Sequence, residues 1–147
     1  MKIAIACDHG AVTLKEHLME HLRKEGYEVV NFGTDTTASC DYPDYAGPAA
    51  RAVASGECDR GIVLCTTGIG MSIAANKVKG IRASVCGDCY SAKMTVVHNN
   101  SNVLCMGARV LGIELGMKIV EEYFSAEFEA GGRHERRVNA IMAKENE

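Results

Sequence analysis

Proline is almost missing from this chain: Pro43 and Pro48 are the only two, and neither precedes a late apolar run. Thioredoxin-like folds place a proline before a late strand, so its absence weighs against dithiol redox chemistry. Positive charge is not in excess either. The formal net charge is −3, which leaves no basic field to draw nucleic acid. No apolar stretch has the roughly 20 residues needed to cross a bilayer, and the short run Ile3–Cys7 meets Asp8-His9 instead of growing into an export signal. No glycine–lysine pair followed by Ser or Thr occurs, which excludes a Walker A phosphate loop. Internal repeats, low-complexity tracts and interdomain linkers are lacking as well. The seven cysteines form an odd, scattered set, better suited to reduced thiols than to a disulfide framework. The cytoplasm is the expected compartment, and residues 1–147 are expected to form a single domain.

What remains is an alternation of strand-like and helical periods. Lys2–Cys7 reads as a strand, followed by a helix whose face is Ala11, Leu14, Leu18 and Leu22 and which Gly26 closes. Tyr27–Phe32 is a second strand; after the polar stretch Gly33–Asp41, a helix is predicted from about Pro43 to Ser55. Strands follow at Arg60–Cys65, Ile81–Cys86 and Asn102–Met106, with helices at Met71–Val78, Tyr90–His98, Glu114–Phe124 and His134–Lys144. Such an order means βαβ units and a parallel sheet covered on both faces.

Open α/β sheets bind ligands at strand carboxyl ends, so those positions are read for chemistry. Arg60–Cys65 ends in a thiol and turns through Thr66-Thr67-Gly68-Ile69-Gly70 into a helical stretch. Glycines let backbone N–H groups approach an anion, and the following helix adds its positive end. The same field favours the thiolate of Cys65. A buried cysteine before a glycine turn is the plain alternative. After the first strand stand Asp8 and His9, an acid beside an imidazole, where Asp8 is also a natural helix N-cap. His98-Asn99-Asn100 closes a helix, a place where histidine often only caps. Gly107-Ala108-Arg109 leaves the last strand, and Arg133 and Arg137 share one helix face at i, i+4. They are either a solvated surface or a bidentate phosphate grip.

Rival motifs fail on spacing. Gly68-Ile69-Gly70 meets Ile73 where a dinucleotide fingerprint needs a small residue. Cys86 and Cys89 form a C-x-x-C at a strand-to-helix junction, but no second pair completes a zinc site.

The ordered set Cys7-Asp8-His9-Gly10, Cys65 to Gly70, Ser72-Ile73-Ala74-Ala75-Asn76-Lys77, His98-Asn99, Asn102-Val103-Leu104, Gly107-Ala108-Arg109 and Gly131 to Val138 closely resembles the B-type ribose-5-phosphate isomerases. These belong to a wider family with galactose- and allose-6-phosphate isomerases. The resemblance spans effectively the whole chain. It implies a Rossmann-like three-layer αβα sandwich with a five-stranded parallel sheet, and a homodimer or dimer of dimers whose sites are shared between subunits. It also implies interconversion of ribose 5-phosphate and ribulose 5-phosphate through an enediolate, without metal or cofactor. By that resemblance Cys65 is the proton-transfer base and His98 the ring-opening acid or base, a task that Asp8 also suits; Thr67 and Asp8 count among the expected catalytic residues. Asp8, Thr67 and Asn99 contact the sugar, while His9, Arg109, Arg133 and Arg137 take the phosphate side. Amides around Thr67, Gly68, Ile69 and Gly70, next to Thr66, suit the oxyanion. The implied partner is a small sugar phosphate, not a nucleic acid or a membrane. A six-carbon substrate, or a binding protein without catalysis, are the alternatives.

Two positions depart from the family pattern. Thr66 stands where the loop usually has glycine, and would be strained if that position needs a positive φ. Asn100 stands where the family has Asp, removing one charge.

Overall fold

The computed structural model describes all 147 residues. Its strands are β1 (Lys2–Cys7), β2 (Glu28–Asn31), β3 (Arg60–Cys65), β4 (Ala83–Val85) and β5 (Val103–Gly107). The helices are α1 (Val12–Lys24), α2 (Pro43–Ala54), α3 (Ile69–Ala75), α4 (Cys89–Asn99), α5 (Ile113–Ser125) and α6 (Arg133–Ala143). No helix is long and apolar enough to cross a membrane.

Every strand pair is parallel, in the order β2-β1-β3-β5-β4. Strand alternation divides the side chains between two cores. Ile3, Ile5, Cys7, Ile62, Leu64, Leu104 and Met106 pack against α1, α4 and α5. Ala4, Ala6, Val63, Cys65, Val103 and Cys105 point the other way, to α2 and α3. The second face is built from small residues, matched by Ala46, Ala49, Ala50 and Ala75 on its helices, so α2 and α3 lie close to the sheet. The fold is thus the expected three-layer αβα sandwich.

Both edge strands are shorter than periodicity predicts. β4 was expected from Ile81, but the Ile81 amide bonds to the Val78 carbonyl, and the Asn76 side chain takes both the N–H and the C=O of Ala83 at 2.8 and 2.9 Å. Those Ala83 groups face the free edge; toward β5 it is the Asn102 side chain that ends the ladder, its Oδ1 accepting the Arg82 amide at 2.8 Å. β2 loses Tyr27 and Phe32 at its ends, although the Phe32 amide still reaches the Ile5 carbonyl at 2.8 Å. Short edges are the usual protection against edge-to-edge pairing. α3 starts two residues early, because Gly68 in the left-handed conformation sets its N-cap.

The chain leaves β1 outward to β2 and returns across β1 to β3, so a crevice opens where the carboxyl ends of β1 and β3 lie side by side. α4 instead descends from the carboxyl end of β4 to the amino end of β5. The Gly61 amide, at the start of β3, bonds to the Asn102 carbonyl at 2.9 Å, so the residues closing α4 lie at the amino edge of the sheet. Tyr123 of α5 fixes that corner. Its fully buried hydroxyl donates to the Ser101 carbonyl at 2.9 Å, and its ring lies 5.4 Å under the Arg60 guanidinium. Tyr123→Phe leaves that carbonyl without its donor and is expected to cost about 1–3 kcal/mol in denaturant unfolding. A change under about 0.3 kcal/mol would mean the corner is held by packing alone.

Candidate active site

At the carboxyl end of β3, Cys65 is 5% exposed, and the Gly68 N–H points at its Sγ from 3.1 Å. A thiolate accepts such a bond more strongly than a thiol. The turn that supplies it is held by close backbone contact. Gly68 has φ +82°, and a Cβ there would lie 2.9 Å from the Met106 carbonyl carbon. A Cβ on Gly107 would lie 2.7 Å from the Cα of Thr67. Two further bonds zip β5 to the same turn, from the Ala108 amide to the Cys65 carbonyl at 2.8 Å and from the Arg109 amide to the Thr66 carbonyl at 3.1 Å. The amides of Thr67, Gly70 and Met71 have no acceptor within the chain, which leaves three donors beside the thiol. Ile69 donates to the Thr67 hydroxyl at 3.3 Å.

Thr66 carries no strain. Asn100 is the only non-glycine residue with positive φ, and the Thr66 methyl fills the space above Gly10, where a Cβ would come within 2.6 Å of it. Asp8 is not the cap of α1, whose N-cap is Ala11 without a side-chain bond. The Asp8 carboxylate instead accepts the Gly10 amide at 2.8 Å and stays buried beside the crevice. The His9 ring accepts the Cys40 amide on Nδ1 at 3.3 Å, so the proton of the neutral ring resides on Nε2. His9 borders a cleft of about 250 Å³ with Gly10, Thr37, Ala108 and Leu111. Arg109 is exposed at the exit of β5.

Two contacts here have no counterpart in the sequence reading. The Tyr42 ring covers Gly70 so tightly that a Cβ there would meet it at 2.9 Å. The Cys40 amide is the other. Both belong to the segment between β2 and α2, and no periodicity announces a contact made across the fold.

Other thiols are poor candidates. Burial pushes Cys7 up to about 12 and Cys86 up to about 11, and raises Cys58 and Cys105 as well. For Cys86 this is the reverse of the lowered pKa that redox dithiols use. No three His, Cys, Asp or Glu side chains converge as metal ligands.

A second cluster forms at the amino edge. The His98 and His134 rings stack at 4.3 Å between centroids, with planes 8° apart. Burial holds His134 below the usual imidazole range, with His98, Arg133 and Arg137 acting in the same sense against Glu129. Arg133 and Arg137 are exposed, and neither has a carboxylate partner. Asn100 ends α4 with φ 49°, a conformation asparagine tolerates well. His134 is a third residue that the sequence reading placed in a motif without giving it a role.

The chain therefore brings Asp8, His9, Cys65–Gly70 and Arg109 together, and separately His98, Asn99, Arg133 and Arg137. Between Gly61, level with Asn102, and Cys65 lie four strand steps of about 3.3 Å, so roughly 13 Å of sheet separates the two groups. One chain does not unite them.

A parallel sheet with a thiol and free amides at its switch point defines an α/β protein with a small-ligand site there. Residues 3–141 match the family described as Ribose/Galactose Isomerase, and the chain belongs to it. It is 51% identical over 144 residues to ribose-5-phosphate isomerase B of Escherichia coli, covering 98% of this chain and 96% of that one. The ribose-5-phosphate isomerase B of Clostridium thermocellum has the same fold, with a TM-score of 0.97 at 53% identity over 99% of this chain and 98% of that one. A Mycoplasma genitalium ribose-5-phosphate isomerase B with bound ribulose-5-phosphate gives a TM-score of 0.95 at 40% identity, covering 99% and 97%. This chain is accordingly an aldose–ketose isomerase.

Gly68 is the residue on which the cradle turns. Gly68→Ala is expected to cost more than about 2 kcal/mol in chemical denaturation, from left-handed strain added to the clash with Met106. A loss below about 0.5 kcal/mol would show that the turn relaxes freely.

Proposed function

We propose that the chain interconverts ribose 5-phosphate and ribulose 5-phosphate in the cytoplasm, as one catalytic domain working in pairs. The Cys65 thiolate takes the proton from C2 of the open-chain aldose, and the C2–H electron pair enters an enediolate. The same proton returns to C1, while a hydroxyl proton passes between O1 and O2. The amides of Thr67, Gly70 and Met71 face the negative oxygen, where fixed donors contribute most. The observation that carries this reading is the Gly68 N–H bond to Cys65 Sγ at 3.1 Å, next to those three free amides. In this reading Asp8 and Thr67 contact the sugar hydroxyls.

Ring opening needs a second acid–base group, and His98 is our choice, with Asn99 beside it on the sugar. In one chain these lie a sheet length from Cys65. The reading therefore requires a second copy to present His98, Asn99, Arg133 and Arg137 to the first copy's cradle, where His9 and Arg109 complete the phosphate grip. The exposed Ile69 and Ile73 of α3, 55% and 56% accessible, give an apolar surface beside the cradle for that contact. Seven free thiols suit a reducing compartment.

Cys65→Ala is expected to lower kcat by more than a thousandfold, or about 4 kcal/mol of transition-state stabilisation, with substrate affinity nearly intact. Retention of a tenth of kcat would place the base elsewhere. Site sharing has its own measurement. Cys65→Ala and His98→Asn proteins, each inactive, are expected to regain activity when their subunits are mixed and exchanged, because the mixed pair contains one intact site. A mixture as inactive as its parts would refute a shared site.

A further inference from the structure

Lys15 is the only lysine of the chain that lies fully buried, on the core-facing stripe of α1 with Ala11, Leu14, Leu18 and Leu22. An apolar residue would continue that stripe without the desolvation cost of an ammonium group. The ammonium is not there to complete the core. Its Nζ donates to the Thr34 carbonyl at 2.7 Å and pairs with the Asp35 carboxylate, which Asn31 also holds at 2.9 Å. Lys15, ahead of Asn31, keeps the Asp35 carboxyl below the usual range. Both acceptors stand at the root of the segment joining β2 to α2.

That root lies directly on the end of β1. The Thr34 amide donates to the Cys7 carbonyl at 3.2 Å, and the Cys7 thiol donates back to the Thr34 carbonyl at 3.5 Å. A Cβ on Gly33 would lie 2.5 Å from the Cys7 nitrogen, so the two backbones touch. The next residues after Cys7 are Asp8 and His9. The far end of the same segment returns to His9, donating the Cys40 amide to Nδ1 at 3.3 Å, and then lays Tyr42 over Gly70. His9 is thus bracketed by one segment, and the four residues between its two ends, Thr36–Ser39, are all exposed. The buried root is what holds the segment in register.

We propose that Lys15 is a positioning residue for the isomerase: by clamping the Thr34–Asp35 root against β1, it keeps the Cys40 amide on His9 Nδ1 and so holds His9 with its proton on Nε2, as a donor toward the phosphate side. Lys15 touches no substrate. The inference rests on the phosphate-side reading of His9, and the test separates the two.

Lys15→Met keeps the length and apolar character of the stem and removes the two bonds. The folded protein is expected to have an unchanged or higher unfolding midpoint, since the buried charge is gone. Imidazole 15N spectra of His9 are expected to change from one tautomer to a mixture of two, and KM for ribose 5-phosphate to rise at least fivefold with kcat within twofold. Asp35→Asn, at an exposed position, removes only the ion pair. It keeps the test open should the first variant not fold, with the same tautomer change and a two- to threefold rise in KM expected. A single His9 tautomer and unchanged KM in every variant that folds overturns the proposal. A tautomer mixture with unchanged KM supports the clamp and overturns the placement of His9 at the phosphate.

Discussion

Everything at the carboxyl end of this sheet depends on two backbones lying almost in contact. The turn after β3 and the last residues of β5 meet at Gly68 against Met106 and at Gly107 against Thr67, where no Cβ fits on either side. Side chains at either glycine would spread the strands apart. Their absence brings the Ala108 and Arg109 amides onto the Cys65 and Thr66 carbonyls, which fixes the turn from outside. The amides of Thr67, Gly70 and Met71 are then left without an acceptor in the chain. A cradle of this kind is rigid because its donors are main-chain groups whose direction is set by neighbouring strands, not by rotamers that must be ordered on binding.

The direction of α4 has an equally large consequence. A helix connecting two parallel strands must run antiparallel to them, so whatever ends α4 is carried to the amino edge. His98 and Asn99 end it, and α6 brings His134, Arg133 and Arg137 to the same corner. The Arg133 and Arg137 guanidiniums stand exposed there without a carboxylate partner, and Glu129 pairs only with His134. In the reading proposed above, that charge cluster and the cradle are each half of a site: one supplies the thiol and free amides, the other cations and the stacked imidazoles. The polarity of a βαβ fold keeps them apart in one copy, which is why the proposed reading calls on a second.

The parts of this design visible in the sequence are those that follow from local period. The β3 run, the glycines after Cys65, and the i, i+4 arginines of α6 all announce themselves within ten residues. The edges were less legible. β4 reads as six residues of strand but is three, because the Ile81 amide turns back to Val78 and the Asn102 side chain takes the Arg82 amide, and side-chain competition leaves no period to read. Asp8 looked equally like a cap and a site residue; the backbone decided by placing the N-cap of α1 three residues later, at Ala11. Tyr42 over Gly70, Cys40 on His9 and His134 on His98 were invisible, since each joins segments about thirty residues apart. Thr66 shows the reverse case. It invites suspicion from its β-branched side chain, yet its methyl packs on Gly10 in ordinary backbone geometry.

The distribution of donors around Cys65 bears on the reaction proposed for it. A base that must take a proton and give the same proton back cannot be stabilised too far in either form. Only the Gly68 amide is aimed at the sulfur, whereas three others are left for an oxygen. Had all four converged on the thiol, the thiolate would be abundant but weakly basic, and the enediolate would find no donors. With one amide on sulfur and three beside it, the turn suits the proposed reaction, in which it orients the base and leaves most of its field for the charge that develops on the substrate. The buried cysteines elsewhere, with their raised proton affinity, have no such division of donors and serve as small apolar residues of the two cores.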